Sequence, residues 1–238
     1  MSEPISPPPD TALRLPHVIP SSLSERPALA RLGRNVRQRL LDDPSVQQIP
    51  SEHLELFAVG DFFAPEECAR MIAIVDAVAQ PSTLYDRSDG TDFRTSFSGD
   101  VDPADPFIRM MERRIDDLLD IPHEWGETIQ GQRYEVGQQF KSHCDYFHAN
   151  QRYWQIEKRR GGQRSWTAMA YLNAVEDGGA TDFGLAGIAI PPQPGALLVW
   201  NNMDAKGNPN PWTLHAGTPV VRGTKYIITK WYRSRKWG

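Results

Sequence analysis

The sequence predicts an α+β fold, with helices first and strands after. Three observations predict it. Before Pro122, apolar residues recur three and four apart in separate stretches, the period of amphipathic helices. After Pro122 that period gives way to short runs rich in Val, Ile, Tyr, Phe and Trp. Turn signals punctuate those runs at Gly178-Gly179, Pro191-Pro192, Pro194-Gly195, Asn208-Pro209 and Arg222-Gly223. A block of helices followed by a block of strands is the α+β pattern, not the alternation of an α/β fold.

Residues 1–22 hold six of the 20 Pro and little periodicity, so they read as a flexible arm. From Ser24 to Asp43, Leu29, Leu32, Val36 and Leu40 form an apolar stripe with Arg on the other face. That helix can pack on its own domain or on a second copy, which would make a homodimer. Residues 1–50 are therefore set apart from one domain over 51–238. Within it, 55–122 would supply helical support and 123–238 the strand core.

Pro65 suits the first position of a helix, with Glu66 and Glu67 in the first turn. Cys68, Met71, Ile72, Val75 and Val78 then line one face, and Gln80-Pro81 ends it. Asp105-Pro106 starts another helix, whose Phe107, Met111, Ile115, Leu118 and Leu119 point inward. Met110 and Met111 both read as core. The expected strands are 127–136, 138–147, 165–173, 181–190, 195–201, 213–216 and 224–233.

Composition excludes several classes. Net charge is −4, so no global basic field suits nucleic acid. No apolar run approaches the ~18 residues of a membrane span. The N-terminus lacks a basic segment followed by an apolar one, so it does not read as a signal peptide. The two Cys, Cys68 and Cys144, suit a reducing compartment, and the expected location is cytoplasmic.

The chemistry concentrates in four residues. His143 and Asp145 form an H-x-D pair, and alternate residues of a strand share a face, so both reach one ion. His215 supplies a third ligand from a distant strand. Two His and one carboxylate with open positions suit a non-haem Fe(II) oxygenase, and the absence of thiolates disfavours a structural zinc. Lys225 offers the cation that a dicarboxylate cosubstrate needs. An H-x-D pair alone is weak, and so is a lone His; the combination carries the weight.

That combination sits in a longer pattern. E-x-x-Q ends at Gln130 and R-Y-E-V-G-Q-Q-F-K-S-H-C-D at Asp145; G-G-Q-R ends at Arg164. A-Y-L-N spans 170–173, G-G-A-T-D-F 178–183, and P-x-x-G-A-L-L-V-W ends at Trp200. H-A-G-T-P-V-V-R-G-T-K-Y-I-I-T-K-W runs over 215–231, with R-T-S at 94–96 and F-x-x-x-E-C at 63–68. In order and spacing these pieces resemble the prolyl 4-hydroxylase branch of the Fe(II)/2-oxoglutarate dioxygenases, over roughly residues 55–235.

The resemblance implies a double-stranded β-helix, a jelly-roll core of the cupin kind, flanked by the N-terminal helices. It implies His143, Asp145 and His215 as iron ligands and Lys225 as the anchor of 2-oxoglutarate, with Tyr134 and Thr181 beside it. It implies Arg94, Arg164 and Trp231 at the substrate; Trp231 reads equally well as core. It further implies dioxygen as the oxidant, ascorbate to rescue oxidised iron, and 2-oxoglutarate leaving as succinate and CO2. Asp145 argues against a halogenase, in which a small residue replaces the acid. Phe140 departs from the pattern, since many relatives carry Tyr there, and it removes one hydrogen-bond donor.

The expected reaction is hydroxylation of a C–H bond, of a prolyl residue in a peptide or protein. Alternatives are a free amino acid or other small molecule, a single regulatory protein in oxygen sensing, and a non-catalytic metal-binding jelly roll. Residues 146–164 would close over the site as a lid.

Overall fold

The computed structural model describes residues 25–82 and 93–238. The expected arm at 1–22 lies outside them. Four helices are present among the described residues: α1 (Arg26–Asp42), α2 (Pro65–Val78), α3 (Pro106–Leu119) and the single turn α4 (Trp154–Glu157). The strands of the largest sheet are β1 (Gln47–Ile49), β2 (Leu56–Val59), β3 (Gln80–Pro81), β4 (Phe97–Asp100), β5 (Gln130–Tyr134), β7 (Arg164–Tyr171), β11 (Leu197–Asn201) and β14 (Lys225–Arg233). They order as β1-β2-β11-β7-β14-β5-β4-β3, antiparallel throughout. A second antiparallel sheet orders β10 (Ile188–Ile190), β9 (Thr181–Phe183), β12 (His215–Gly217) and β6 (Phe140–His143). A ribbon of β8 (Asp177–Gly178) and β13 (Val220–Arg222) completes the set.

Local chemistry explains the helix ends. Pro65 and Pro106 open α2 and α3, where a missing N–H costs nothing. The Asp105 carboxylate accepts the Phe107 N–H at 2.7 Å, and Glu67 accepts the Ala64 N–H at 2.8 Å. Asp120 closes α3 in the left-handed region at φ 51°. The stripe of α1 packs on its own domain: Leu29, Val36 and Leu40 are buried, and an Arg37–Glu55 contact of 2.8 Å fastens the helix. Met111 is core as expected; Met110 is exposed, because it lies on the outer face of α3.

The large sheet is buried on both faces, which is why its central strands read as nearly continuous apolar runs. Trp166, Ala168, Ala170, Leu197, Val199 and Ile228 face the helices. Their neighbours Met169, Tyr171, Leu198, Trp200 and Ile227 face the smaller sheet, with Phe183 opposite.

Two expectations need correction. Strands are not confined to the region after Pro122: β1 to β4 precede it, and β2 sits beside the central β11. Those strands are two to four residues long, too short for a period-2 signal to show. The run 181–190 is not one strand but the hairpin β9–β10, turned by Gly184 and Gly187. Gly187 has φ 66°, the left-handed region glycine favours.

Candidate metal centre

The smaller sheet brings two distant histidines together. His215 opens β12 and pairs in register with His143, the last residue of β6. Their ring centroids lie 4.3 Å apart. Asp145 follows in a bend just after β6, not in a strand extending to 147 as expected. Ligand atoms of His143, Asp145 and His215 all lie within 4.8 Å of one another, a spacing one ion can bridge.

Each imidazole is held in one tautomer. His143 Nδ1 lies 2.8 Å from the Lys141 carbonyl, and His215 Nδ1 lies 2.8 Å from the Thr213 carbonyl. A carbonyl only accepts, so Nδ1 carries the proton in both rings and both Nε2 atoms are free. Burial, then His215, pushes the His143 pKa down to about 3, so the ring is neutral as a ligand must be. Burial works against the Asp145 carboxylate, yet His215, His143, Arg164 and the Thr167 hydroxyl hold it below the usual range. The donor set is two neutral imidazoles and one carboxylate, converging from one side, and it fits a divalent iron.

A bulge shapes the wall beside it. Phe140 pairs with Gly217, while His143 pairs with His215, so β6 carries one extra residue against β12. Phe140 and His143, three apart, thereby come to the same face and stack with centroids at 3.6 Å. The Arg94 guanidinium lies 4.7 Å from the Phe140 ring.

A pocket lined by residues of both sheets adjoins the three ligands. Lys225 reaches into it from β14, 2% exposed, with Nζ 5.3 Å and 5.5 Å from the ring centroids of Tyr134 and Tyr171. Among the described residues no carboxylate pairs with Lys225, and burial alone pulls its pKa down to about 7. A Cβ at Gly217 would sit 3.9 Å from Nζ, so the glycine leaves room at the ammonium head. A buried cation lacking a protein anion, next to open space, fits a carboxylate from outside. Thr181 and Tyr134 line the same pocket, but both hydroxyls have protein partners: Tyr134 Oη donates to Gln132 at 2.7 Å and Tyr171 Oη donates to Thr181 at 2.7 Å.

The residues expected at the substrate divide. Arg94 and Trp231 line the pocket. Arg94 donates to Gln130 at 2.9 Å and Ser96 at 3.2 Å. Arg164 does not line the pocket. It grips Glu127 with two hydrogen bonds of 2.6 and 2.7 Å and lies 4.0 Å over the Trp231 ring. Burial alone would raise the Glu127 pKa, but Arg164 and Arg233 together lower it. The segment 146–164 is closed on itself, with Gln163 bonding both the N–H and the C=O of Phe147, and Glu157 ties it to Arg233 of β14 at 2.5 Å.

Sequence reasoning missed Gln132, Thr167, Trp200, Asn202 and Thr229, all buried here. The signal was a lone polar residue inside an apolar run, as Thr167 in W-T-A-M and Thr229 in I-I-T-K. Such a residue needs a partner the run itself does not contain.

Comparison with known proteins agrees with this geometry. Residues 129–233 match the family model of the 2OG-Fe(II) oxygenase superfamily. The chain is 34% identical over 200 residues to Prolyl 4-hydroxylase 1 of Arabidopsis thaliana, covering 76% of this chain and 69% of that protein. It is 30% identical over 218 residues to Prolyl 4-hydroxylase 2 of the same plant, covering 81% and 71%. A solved structure of the viral collagen prolyl hydroxylase from Paramecium Bursaria Chlorella virus-1, in its 2OG complex, has a similar fold. Its TM-score is 0.59 at 24% identity, over 74% of this chain and 94% of that one.

Proposed function

The chain belongs to the 2OG-Fe(II) oxygenase superfamily, in its prolyl 4-hydroxylase-like branch, and from that premise we propose that it hydroxylates prolyl residues in a peptide or protein. Fe(II), 2-oxoglutarate and dioxygen serve the reaction, and ascorbate sustains it. The two sheets, we further propose, form the double-stranded β-helix of the superfamily. The single observation that carries the reading is the cluster of His143, Asp145 and His215, the last two buried, sharing one pocket with Lys225, which has no carboxylate partner among the described residues.

The chemistry that bound Fe(II) supplies is the coupling of 2-oxoglutarate decarboxylation, to succinate and CO2, with insertion of one oxygen atom into a C–H bond. His143 and His215 would hold the ion through their unprotonated Nε2 atoms and Asp145 through a carboxylate oxygen. Lys225, itself buried, takes the far carboxylate of 2-oxoglutarate as a charge-assisted pair. Tyr134 and Thr181 add contacts beside it. Phe140 adds no hydrogen bond; its ring instead excludes water from one face of His143. Arg94 and Trp231 at the pocket hold the substrate backbone, and Arg164 stiffens Trp231 from behind. The apolar walls keep water from the reacting carbon.

One observation favours a small-molecule substrate instead: among the described residues Arg94 has no carboxylate partner although it lines the pocket. A free amino acid would offer one. Mass spectrometry after incubation with a capped prolyl peptide and with free proline decides between them. A gain of one oxygen on the peptide alone supports the proposal; a gain on free proline alone replaces it. Absence of succinate under every condition would leave a non-catalytic binding protein.

A further inference from the structure

Behind the Asp145 carboxylate stands a chain of buried hydrogen bonds with a fixed direction. Thr167, from the middle of β7, lies with Oγ1 2.8 Å from Asp145 Oδ2. Asn202, just after β11, lies with Nδ2 2.9 Å from the same Oγ1. Thr167 and Asn202 have no measurable exposure, and Asp145 is 6% exposed. An ionised carboxylate can only accept, so the Thr167 hydroxyl donates to it. The hydroxyl lone pair then accepts from the Asn202 amide, and the relay runs Asn202 to Thr167 to Asp145. Asn202 is itself fixed by its backbone, whose N–H donates to the Ser165 carbonyl at 2.8 Å.

The two carboxylate oxygens are therefore not equivalent. Oδ2 is taken by Thr167, while Oδ1 faces His143 Nε2 at 3.9 Å. We propose that Thr167 is a positioning residue which keeps Asp145 binding the metal through Oδ1 alone, with Asn202 orienting Thr167. A carboxylate that swung to bind through both oxygens would fill a position that the cosubstrate or dioxygen needs. A hydrogen bond to Oδ2 opposes that swing and fixes the plane of the carboxylate. The role rests on Asp145 being a metal ligand, the reading given above. Strand pairing makes the support rigid: β7 is paired on both sides, by β11 and β14.

The test titrates the full chain with Co(II), without oxygen, and records affinity and the visible ligand-field spectrum. Thr167→Val keeps the shape and removes the hydroxyl. It is expected to bind Co(II) about 10- to 100-fold more weakly, the usual cost of losing a partner of a metal ligand, with a changed spectrum. Thr167→Ser keeps the hydroxyl and should restore both. The double variant Thr167→Val with Asn202→Leu leaves no orphaned amide, so it is read whether or not the single variant folds, and the same loss is expected. A folded variant lacking the hydroxyl, with wild-type affinity and spectrum, overturns the proposal; a merely structural Thr167 would lower thermal stability without altering either. Asp145→Ala separates the premises. If it binds Co(II) as tightly as wild type, the ligand reading itself fails; if it loses binding while Thr167→Val does not, only the positioning role fails.

Discussion

His143 and His215 face each other as a register pair across two antiparallel strands, with ring centroids 4.3 Å apart. The strand ladder sets their separation, and each Nδ1 is tied to a backbone carbonyl two residues earlier. Both rings are thus oriented before any ion arrives, and little ordering remains to be done on binding.

Loss of a ligand should therefore cost metal and not fold. His143→Ala and Asp145→Ala should each bind Fe(II) at least about 10-fold more weakly and lose turnover, since two remaining ligands hold a labile ion poorly. Calorimetric titration and a succinate assay check this. Full activity in either variant would remove the assignment.

Lys225→Ala should act on the cosubstrate instead. A charge-assisted contact in a buried site is worth about 1.5–3 kcal/mol, or about 10- to 150-fold in apparent KM for 2-oxoglutarate. Iron affinity should change little. An unchanged KM places the lysine's role elsewhere.

The depressed pKa of Lys225, about 7 in the free protein, gives a pH dependence with a definite sign. Above pH 7 the amine is mostly neutral, yet the pair with a carboxylate needs it charged. Binding 2-oxoglutarate must then take up a proton, and affinity should fall as pH rises past 7. Stability of the free protein runs the other way. The unfolded chain keeps its Lys proton up to about pH 10.4, so stability rises from about pH 7 towards that value. Calorimetry at pH 8 in buffers of different ionisation enthalpy should show uptake approaching one proton, absent in Lys225→Met. No uptake in the wild type would contradict the assignment.

Arg164→Ala should weaken both fold and coupling. It leaves the buried Glu127 with Arg233 alone and strips a guanidinium from Trp231. Breaking such a pair costs about 3 kcal/mol, or about 6–12 °C in Tm for a chain of this size. Prolyl hydroxylation should fall while decarboxylation without substrate continues, because the cosubstrate has its own anchor. Equal loss of both reactions would deny Arg164 a role on the substrate side.

How legible was this protein? Long elements with a strong period were readable: α2 and α3 begin at the Pro residues that signalled them. β7, β11 and β14 are apolar because both faces of their sheet are covered. Short strands near the sheet's edges escaped, because two to four residues are too few to show a period. The extent of β6 was overestimated; the strand stops at His143 and a bend turns Asp145 into the site.

By itself the sequence determined the donor set. His143 and Asp145 are neighbours along the chain, and Lys225 follows His215 at a short offset within one run of strand-forming residues. Such spacings survive any packing, since backbone geometry fixes the reach between near residues. The tertiary structure alone decided which atoms do the work. The bulge that stacks Phe140 on His143 exists only in the pairing of β6 with β12. The relay to Asp145 Oδ2 needs β7 beside β11, and Arg164 meets Glu127 only across β14, which pairs with β7 and whose Trp231 carbonyl takes the Glu127 N–H. These partners come from segments far apart in sequence, and their register is set by the sheet as a whole, so no local pattern encodes them.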